Sequence, residues 1–173
     1  MACEDWHDVP PGPAKWMRVL YNESGKAPEV SVSHLIAPCY HCASPICLPA
    51  CPVTAISKRK EDGIVVVDTE ACLGNVKCRV ACLKACPYDA PQFGPEPDAK
   101  MQKCDFCLGR WLEKKKPVCV EACPTRAVDA GPLDELEARY GKLREAEGFV
   151  YSKKTIPSIV FRAKSTKSAV KTS

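Results

Sequence analysis

The chain has 173 residues, enough for one ordinary domain or one body of two similar halves, with little room left for a separate catalytic domain. Its 46% hydrophobic fraction counts thirteen cysteines as apolar, and sixteen prolines face only 7% aromatic residues, so something besides side-chain packing must hold the chain together. The apolar runs are far short of the ~20 residues a spanning helix needs, and an odd number of cysteines argues against a disulfide framework.

The N-terminus reads MACEDWHDVP, with a cysteine at position 3 and none again until Cys39. It has neither the charged, apolar and small-residue pattern of a secretion signal nor a twin-arginine stretch, so a soluble, cytoplasmic protein is expected. Three cysteine-rich units follow, each closing in Cys-Pro-x-x-Ala: CYHCASPICLPACPVTA (39–55), CLGNVKCRVACLKACPYDA (72–90) and CDFCLGRWLEKKKPVCVEACPTRA (104–127). After the first, "AIS" is extended, and "KRKEDG" turns the chain into "IVVVD", the pattern of a β-hairpin. After the third, "AVDAG" is also expected to be extended. Helical signals are few. The best is "PLDELEARYG", with Pro132 and acidic residues in its opening turn and Gly141 as its stop. From Ser152 the sequence becomes lysine-rich, with a β-prone "SIVF" and a final ten residues expected to be mobile.

Three cysteines at short spacing, followed by a fourth before proline, form the ligand pattern of bacterial ferredoxins, in which the fourth thiolate reaches across to a second cluster. The proline stiffens the exit from the loop and helps to aim that side chain. Soft thiolates suit zinc as well, so a zinc-stabilised interaction module is the main competitor. Zinc has no need of a trailing proline or of pairing between distant groups. The expected fold is therefore α+β: a duplicated bacterial ferredoxin-like fold, loop-rich and held by iron–sulfur clusters.

Beyond the spacing, the stretches CYHCASPICLPACPVTAI, EDGIVVVD, ACPYDAPQF, KCDFC, KKPVCVEACPTRA and GPLDEL resemble, in that order, the iron–sulfur electron-transfer subunits of the dimethyl sulfoxide reductase family. Members of that family normally carry four cysteine groups, and MACEDWHDVP is similar to the end of the first, so a shortened type with three 4Fe-4S clusters is expected. The resemblance implies the ligand sets. The first is Cys39, Cys42 and Cys47 with the crossing Cys86. The second is Cys72, Cys78 and Cys82 with the crossing Cys51. The third is Cys104, Cys107 and Cys119 with Cys3, which leaves Cys123 as the spare thiol; the alternative is that Cys123 closes the third set and Cys3 is an N-terminal thiol. The corresponding divisions are an N-terminal segment 1–38, a two-cluster module 39–99, an incomplete one-cluster module 100–150 and a basic tail 151–173. One unit departs from the family's C-x2-C-x2-C-x3-C-P: it reads C-x5-C-x3-C-x3-C-P, with four extra residues around "LGNVK" that are expected to bulge outward.

Other residues stand near these ligands. His41, between Cys39 and Cys42, can donate a hydrogen bond to a cluster sulfur or be a solvated loop histidine. Lys77, Arg79, Lys84, Lys103 and Arg126 neighbour ligands as cations. Trp111 and Leu112, beside basic residues in "LGRWLEKKKP", fit either a short amphipathic helix or a docking surface. The formal net charge of +4 omits the metal; three oxidised cubes at about −2 each bring the total near −2, so nucleic-acid binding is not expected. The sequence offers no nucleophile or acid–base pair in a pocket-forming pattern, and the protein is not expected to be an enzyme by itself. The resemblance implies a large tungsten- or molybdenum-pterin catalytic subunit and a further redox partner. The narrowest expectation is the small subunit of class II benzoyl-CoA reductase. A tungsten aldehyde oxidoreductase subunit and a free polyferredoxin are the alternatives.

Overall fold

The computed structural model describes residues 1–162; the mobile last ten residues expected from sequence lie outside them. Eleven short elements succeed one another in loop-rich chain: α1 (Ala2–Trp6), β1 (Arg18–Lys26), β2 (Glu29–Ala37), α2 (Cys47–Ala50), β3 (Ile56–Lys58), β4 (Val65–Val67), α3 (Asn75–Cys78), α4 (Ala81–Ala85), α5 (Leu108–Leu112), α6 (Val118–Glu121) and α7 (Leu133–Tyr140). The result is an α+β, ferredoxin-like arrangement. No helix among the described residues is long and apolar enough to cross a membrane.

The β3–β4 hairpin forms where the sequence places it, antiparallel, with Ile56 opposite Val67 and Lys58 opposite Val65. Its turn is closed by the Arg59 amide on the Ile64 carbonyl at 2.9 Å and by Asp62, whose carboxylate accepts from the Ile64 amide and the Arg59 guanidinium. Gly63 supplies the left-handed residue, at φ +72°. Helix α7 also matches its sequence signals, with Pro132 at the N-cap, Asp134 and Glu135 in the first turn and Gly141 beyond the end.

Two segments read as extended or β-prone form no strand among the described residues. Residues 127–131 join no ladder, and at Ala130 local side chains take both backbone groups. Asp129 accepts from the Ala130 amide at 2.8 Å, and Lys116 donates to the Ala130 carbonyl. "SIVF" contributes only one bridge, Phe161 with Leu143. The extra residues at "LGNVK" do not bulge freely either. They form α3, pinned by the Asn75 amide to the Ala99 carbonyl at 3.0 Å and by the Asn75 side chain to the Glu96 carbonyl at 3.1 Å. Within that turn Val76 and Lys77 are exposed.

The long hairpin β1–β2, with Arg18 opposite Ala37, was not legible in the sequence. Both its faces are largely exposed, so it carries no clean alternation of apolar and polar residues.

The apolar core is small. Ala55, Ile56, Val65, Cys72, Cys82 and Met101 bury together, with Leu48, Val67 and Phe93 against them. Two of those six are thiols, so the core and the second cysteine group are one object. A second cluster is aromatic: Tyr40 meets Tyr88 edge-on at 5.0 Å, Tyr88 stacks on Phe149 at 5.3 Å, and Phe149 touches Phe161 at 5.2 Å. It ties the C-terminal segment to the first two cysteine groups, reinforced by the Ser152 amide on the Tyr88 hydroxyl at 3.0 Å.

Candidate metal centres

All thirteen cysteines are free thiols. Short helices begin, end or cap at Cys47, Cys51, Cys78, Cys86 and Cys107, and several loops pass through left-handed backbone at non-glycine residues, including His41, Arg79, Val80, Phe106 and Cys107. Such turns aim successive amides to one side, where they can meet an anionic group. The Phe106 amide reaches the Cys104 sulfur at 3.4 Å, and the Met101 amide approaches the Cys72 sulfur at 3.5 Å.

The thiols lie in three neighbourhoods, visible in how each raises the pKa of the next. Burial pushes Cys47 up to about 12, with the charges of Cys39, Cys86 and Cys42 adding to it. Burial likewise takes Cys42 to about 11, where Cys39 and Cys86 add and the Thr155 hydroxyl opposes. Cys82 is pushed to about 11 by burial, then by Cys78, Cys51 and Cys72. Those four line one small pocket with Ile56, Val67, Phe93 and Met101. Cys3 is only 5% exposed. Burial raises it to about 12, with Cys107, Cys119, Asp105 and Glu4 adding to it. Burial raises Cys104 as well, with Cys39 and Cys3 contributing.

Cys123 differs. It does not line the cavity that Cys3, Cys104, Cys107 and Cys119 share. Its pKa is lowered, by the Thr125 hydroxyl first and then by the Ala127 amide. These influences run among Cys39, Cys42, Cys47 and Cys86, among Cys51, Cys72, Cys78 and Cys82, and from Cys107 and Cys119 to Cys3; Cys39 and Cys3 both act on Cys104. Cys123 stands beside Cys119 on the outer side of the third set.

Desolvated thiols of this kind hold their protons until a metal displaces them, and sets of four with amides aimed at sulfur fit iron–sulfur clusters. The fourth thiol of each of the first two sets comes from the other sequence group, as a ferredoxin pair requires. Two buried donors strengthen the fit: among the described residues His41 Nε2 has no hydrogen-bond partner, and Thr155 Oγ1 has only the Cys42 thiol beside it.

Cations frame the sets. Lys58 donates to the His41, Cys42 and Gly63 carbonyls. Lys103, 3% exposed, donates to the Val65 and Cys104 carbonyls. Lys77, Arg79, Lys84 and Arg126 make no comparable contact to a ligand loop in the described hydrogen bonds. Trp111 turns inward, meeting Phe106 edge-on at 5.1 Å, whereas Leu112 is exposed.

Sequence reasoning missed His7. Its Nε2 lies 3.3 Å from the Cys107 sulfur and 3.5 Å from the Asp105 carboxylate, and its ring packs on Trp16 at 4.4 Å. Nothing in the linear sequence joins position 7 to position 107. The one available signal was that His7 sits four residues after a cysteine already suspected as a ligand.

The sequence matches the family described as "4Fe-4S dicluster domain" over residues 30–133. It is 41% identical over 170 residues to the B subunit of the anaerobic dimethyl sulfoxide reductase of Escherichia coli (strain K12), covering 94% of this protein and 80% of that one. It is 39% identical over 120 residues to the perchlorate reductase subunit beta of Dechloromonas aromatica (strain RCB), covering 69% of this protein and 34% of that one. Protein NrfC of Escherichia coli (strain K12) is 34% identical over 143 residues, covering 82% of this protein and 62% of that one. The protein described here belongs to the 4Fe-4S dicluster family of iron–sulfur subunits that includes the B subunits of the dimethyl sulfoxide reductases.

Proposed function

We propose that this protein is the electron-transfer subunit of an oxidoreductase complex, carrying three 4Fe-4S clusters and docking on a large pterin catalytic subunit. What supports the reading most is that buried thiols act on one another in separate neighbourhoods, in a member of the 4Fe-4S dicluster family. In this reading Cys39, Cys42, Cys47 and Cys86 hold the first cluster. Cys72, Cys78, Cys82 and Cys51 hold the second, and Cys104, Cys107, Cys119 and Cys3 the third.

When bound, each cluster supplies one-electron chemistry. The chain's own task is to fix the spacing of the clusters and to keep water from the sulfurs. Interleaving through Cys51 and Cys86 brings the first two sets together, and the mutual influence of Cys39 and Cys104 brings the first beside the third. An order second–first–third follows. In the same reading the protein divides into the N-terminal segment 1–38, the two-cluster module 39–99, the one-cluster module 100–150 and the tail 151–173.

The relatives are named as subunits of dimethyl sulfoxide and perchlorate reductases, which supports a reductase complex; the tungsten- or molybdenum-pterin partner is what the sequence resemblance implies. The narrower assignment, a tungsten partner in class II benzoyl-CoA reductase, rests on the sequence resemblance alone. Anaerobic affinity purification from the native host tests the proposal. A large pterin subunit should co-purify, and its metal, tungsten or molybdenum, separates the two assignments. A protein that purifies alone at full iron content would make it a free polyferredoxin instead.

A further inference from the structure

The loop between Cys39 and Cys42 leaves one polar group unused. Val65 donates its amide proton to His41 Nδ1 at 2.9 Å. Nδ1 is therefore the acceptor, and the ring proton sits on Nε2. His41 is 8% exposed, yet Nε2 has no partner among the described residues. The ring meets Phe106 edge-on at 5.6 Å, and it lines the same cavity as Cys39 and Cys104. The loop's carbonyls are taken: the Ser158 amide donates to the Tyr40 carbonyl, Lys58 and the Ser158 hydroxyl both donate to the His41 carbonyl, and Lys58 also takes the Cys42 carbonyl.

A second unused donor arrives from a distant part of the sequence. Thr155 is 1% exposed, and its hydroxyl has no ordinary hydrogen-bond partner. It lies beside the Cys42 thiol. Its backbone is fixed against the first cysteine loop by the Ser44 amide on the Thr155 carbonyl at 3.0 Å and the Ala43 amide on the Ile156 carbonyl at 2.8 Å. An unsatisfied buried donor costs about 1–3 kcal/mol, and native proteins keep few of them. Thr155 lies beside Cys42 and His41 shares a cavity with Cys39, so both call for an acceptor among those thiols. Thiolate and sulfide sulfurs accept hydrogen bonds and donate none.

We propose that His41 Nε2–H and the Thr155 hydroxyl donate to sulfurs of the iron–sulfur group held by Cys39, Cys42, Cys47 and Cys86, and thereby raise that group's reduction potential above what its ligands alone would give. The inference rests on the ligand reading above. Reduction adds one negative charge to the sulfur-rich group, and donors already aimed at it stabilise the reduced form more than the oxidised form. One electron enters and no proton moves. His41 and Thr155 are thus tuning donors, in the centre that joins the other two.

The test is a potentiometric titration of the full-length protein, purified anaerobically with its iron, followed by electron paramagnetic resonance. The signal of the first cluster is identified as the one lost in Cys47→Ser. His41→Phe keeps a ring against Phe106 and removes the donor, and Thr155→Val is nearly isosteric. Each should lower the reduction equilibrium constant of that one cluster about tenfold, or ~59 mV for one electron, and the double variant about a hundredfold. The other clusters should stay put, and iron content should be unchanged. Full iron content with no shift in either variant overturns the inference, and so does an equal shift of all clusters. If His41→Phe fails to assemble, Thr155→Val decides by the same criterion. Histidine labelled with 15N gives an independent readout in the unaltered protein, a nitrogen coupling on that cluster's signal, whose absence overturns the His41 half. If Cys47→Ser removes no cluster, the ligand reading itself has failed and the inference goes with it, an outcome distinct from unshifted potentials.

Discussion

Exchanging one sulfur for one oxygen at each of the two odd cysteines separates the possible wirings of the third set. Cys3 is 5% exposed and sits among Cys104, Cys107 and Cys119. Helix α1, which carries it, has contacts besides its thiol: the Arg110 guanidinium lies over the Trp6 ring at 4.9 Å, and His7 packs against Trp16. Cys3→Ser should therefore leave the N-terminal segment in place and remove only the ligand. A hydroxyl is a poor partner for iron beside three thiolates, and unligated at a buried site it costs about 1–3 kcal/mol. Iron should fall from about twelve to about eight per protein molecule, one cube of three lost. Cys123→Ser should leave about twelve, because Cys123 lies outside the shared cavity and only its Thr125 and Ala127 contacts change. Iron analysis with low-temperature spin quantitation reads both variants. Loss of a cluster in Cys123→Ser, with Cys3→Ser intact, would refute the wiring and make Cys3 the spare.

Removal of the metal should abolish the fold: the main core cluster is small and contains Cys72 and Cys82, so a chelated, reduced sample should show no cooperative thermal transition. Gly74→Ala should destabilise the second set first. Gly74 has φ +86°, and a Cβ there would lie 2.6 Å from the Asp98 carbonyl oxygen, a strain of about 1–3 kcal/mol that should appear as faster bleaching of that cluster on heating. Lys103→Met should leave the Val65 and Cys104 carbonyls buried without their donor, at about 1–3 kcal/mol each, measured as a lower denaturant midpoint with iron retained.

The cysteine units were legible because ligation forces thiols to recur at short spacing and leaves Cys-Pro at each exit. The β3–β4 hairpin and α7 were legible for local reasons as well: a turn rich in Asp and Gly before β-branched residues in one case, a proline start and glycine stop in the other. Elements that depend on distant partners were not. Residues 127–131 have the composition of a strand, yet at Ala130 Asp129 and Lys116 take both backbone groups. The turn at "LGNVK" could be counted as extra residues, but its docking on residues 96–99 could not be seen from spacing. His7 beside Cys107 and Thr155 beside Cys42 are products of tertiary folding. His41 was visible as a candidate, and what the structure adds is the Val65 amide that fixes its tautomer and leaves Nε2 free to donate.

The central claim is that three four-thiol sets each hold one 4Fe-4S cluster. Iron and acid-labile sulfide, counted together with protein on an anaerobic sample and checked by Mössbauer spectroscopy, test it most directly. Three clusters require about twelve irons and about twelve sulfides per protein molecule, all in four-iron environments. A count of about eight, or zinc in place of iron in any set, would contradict it.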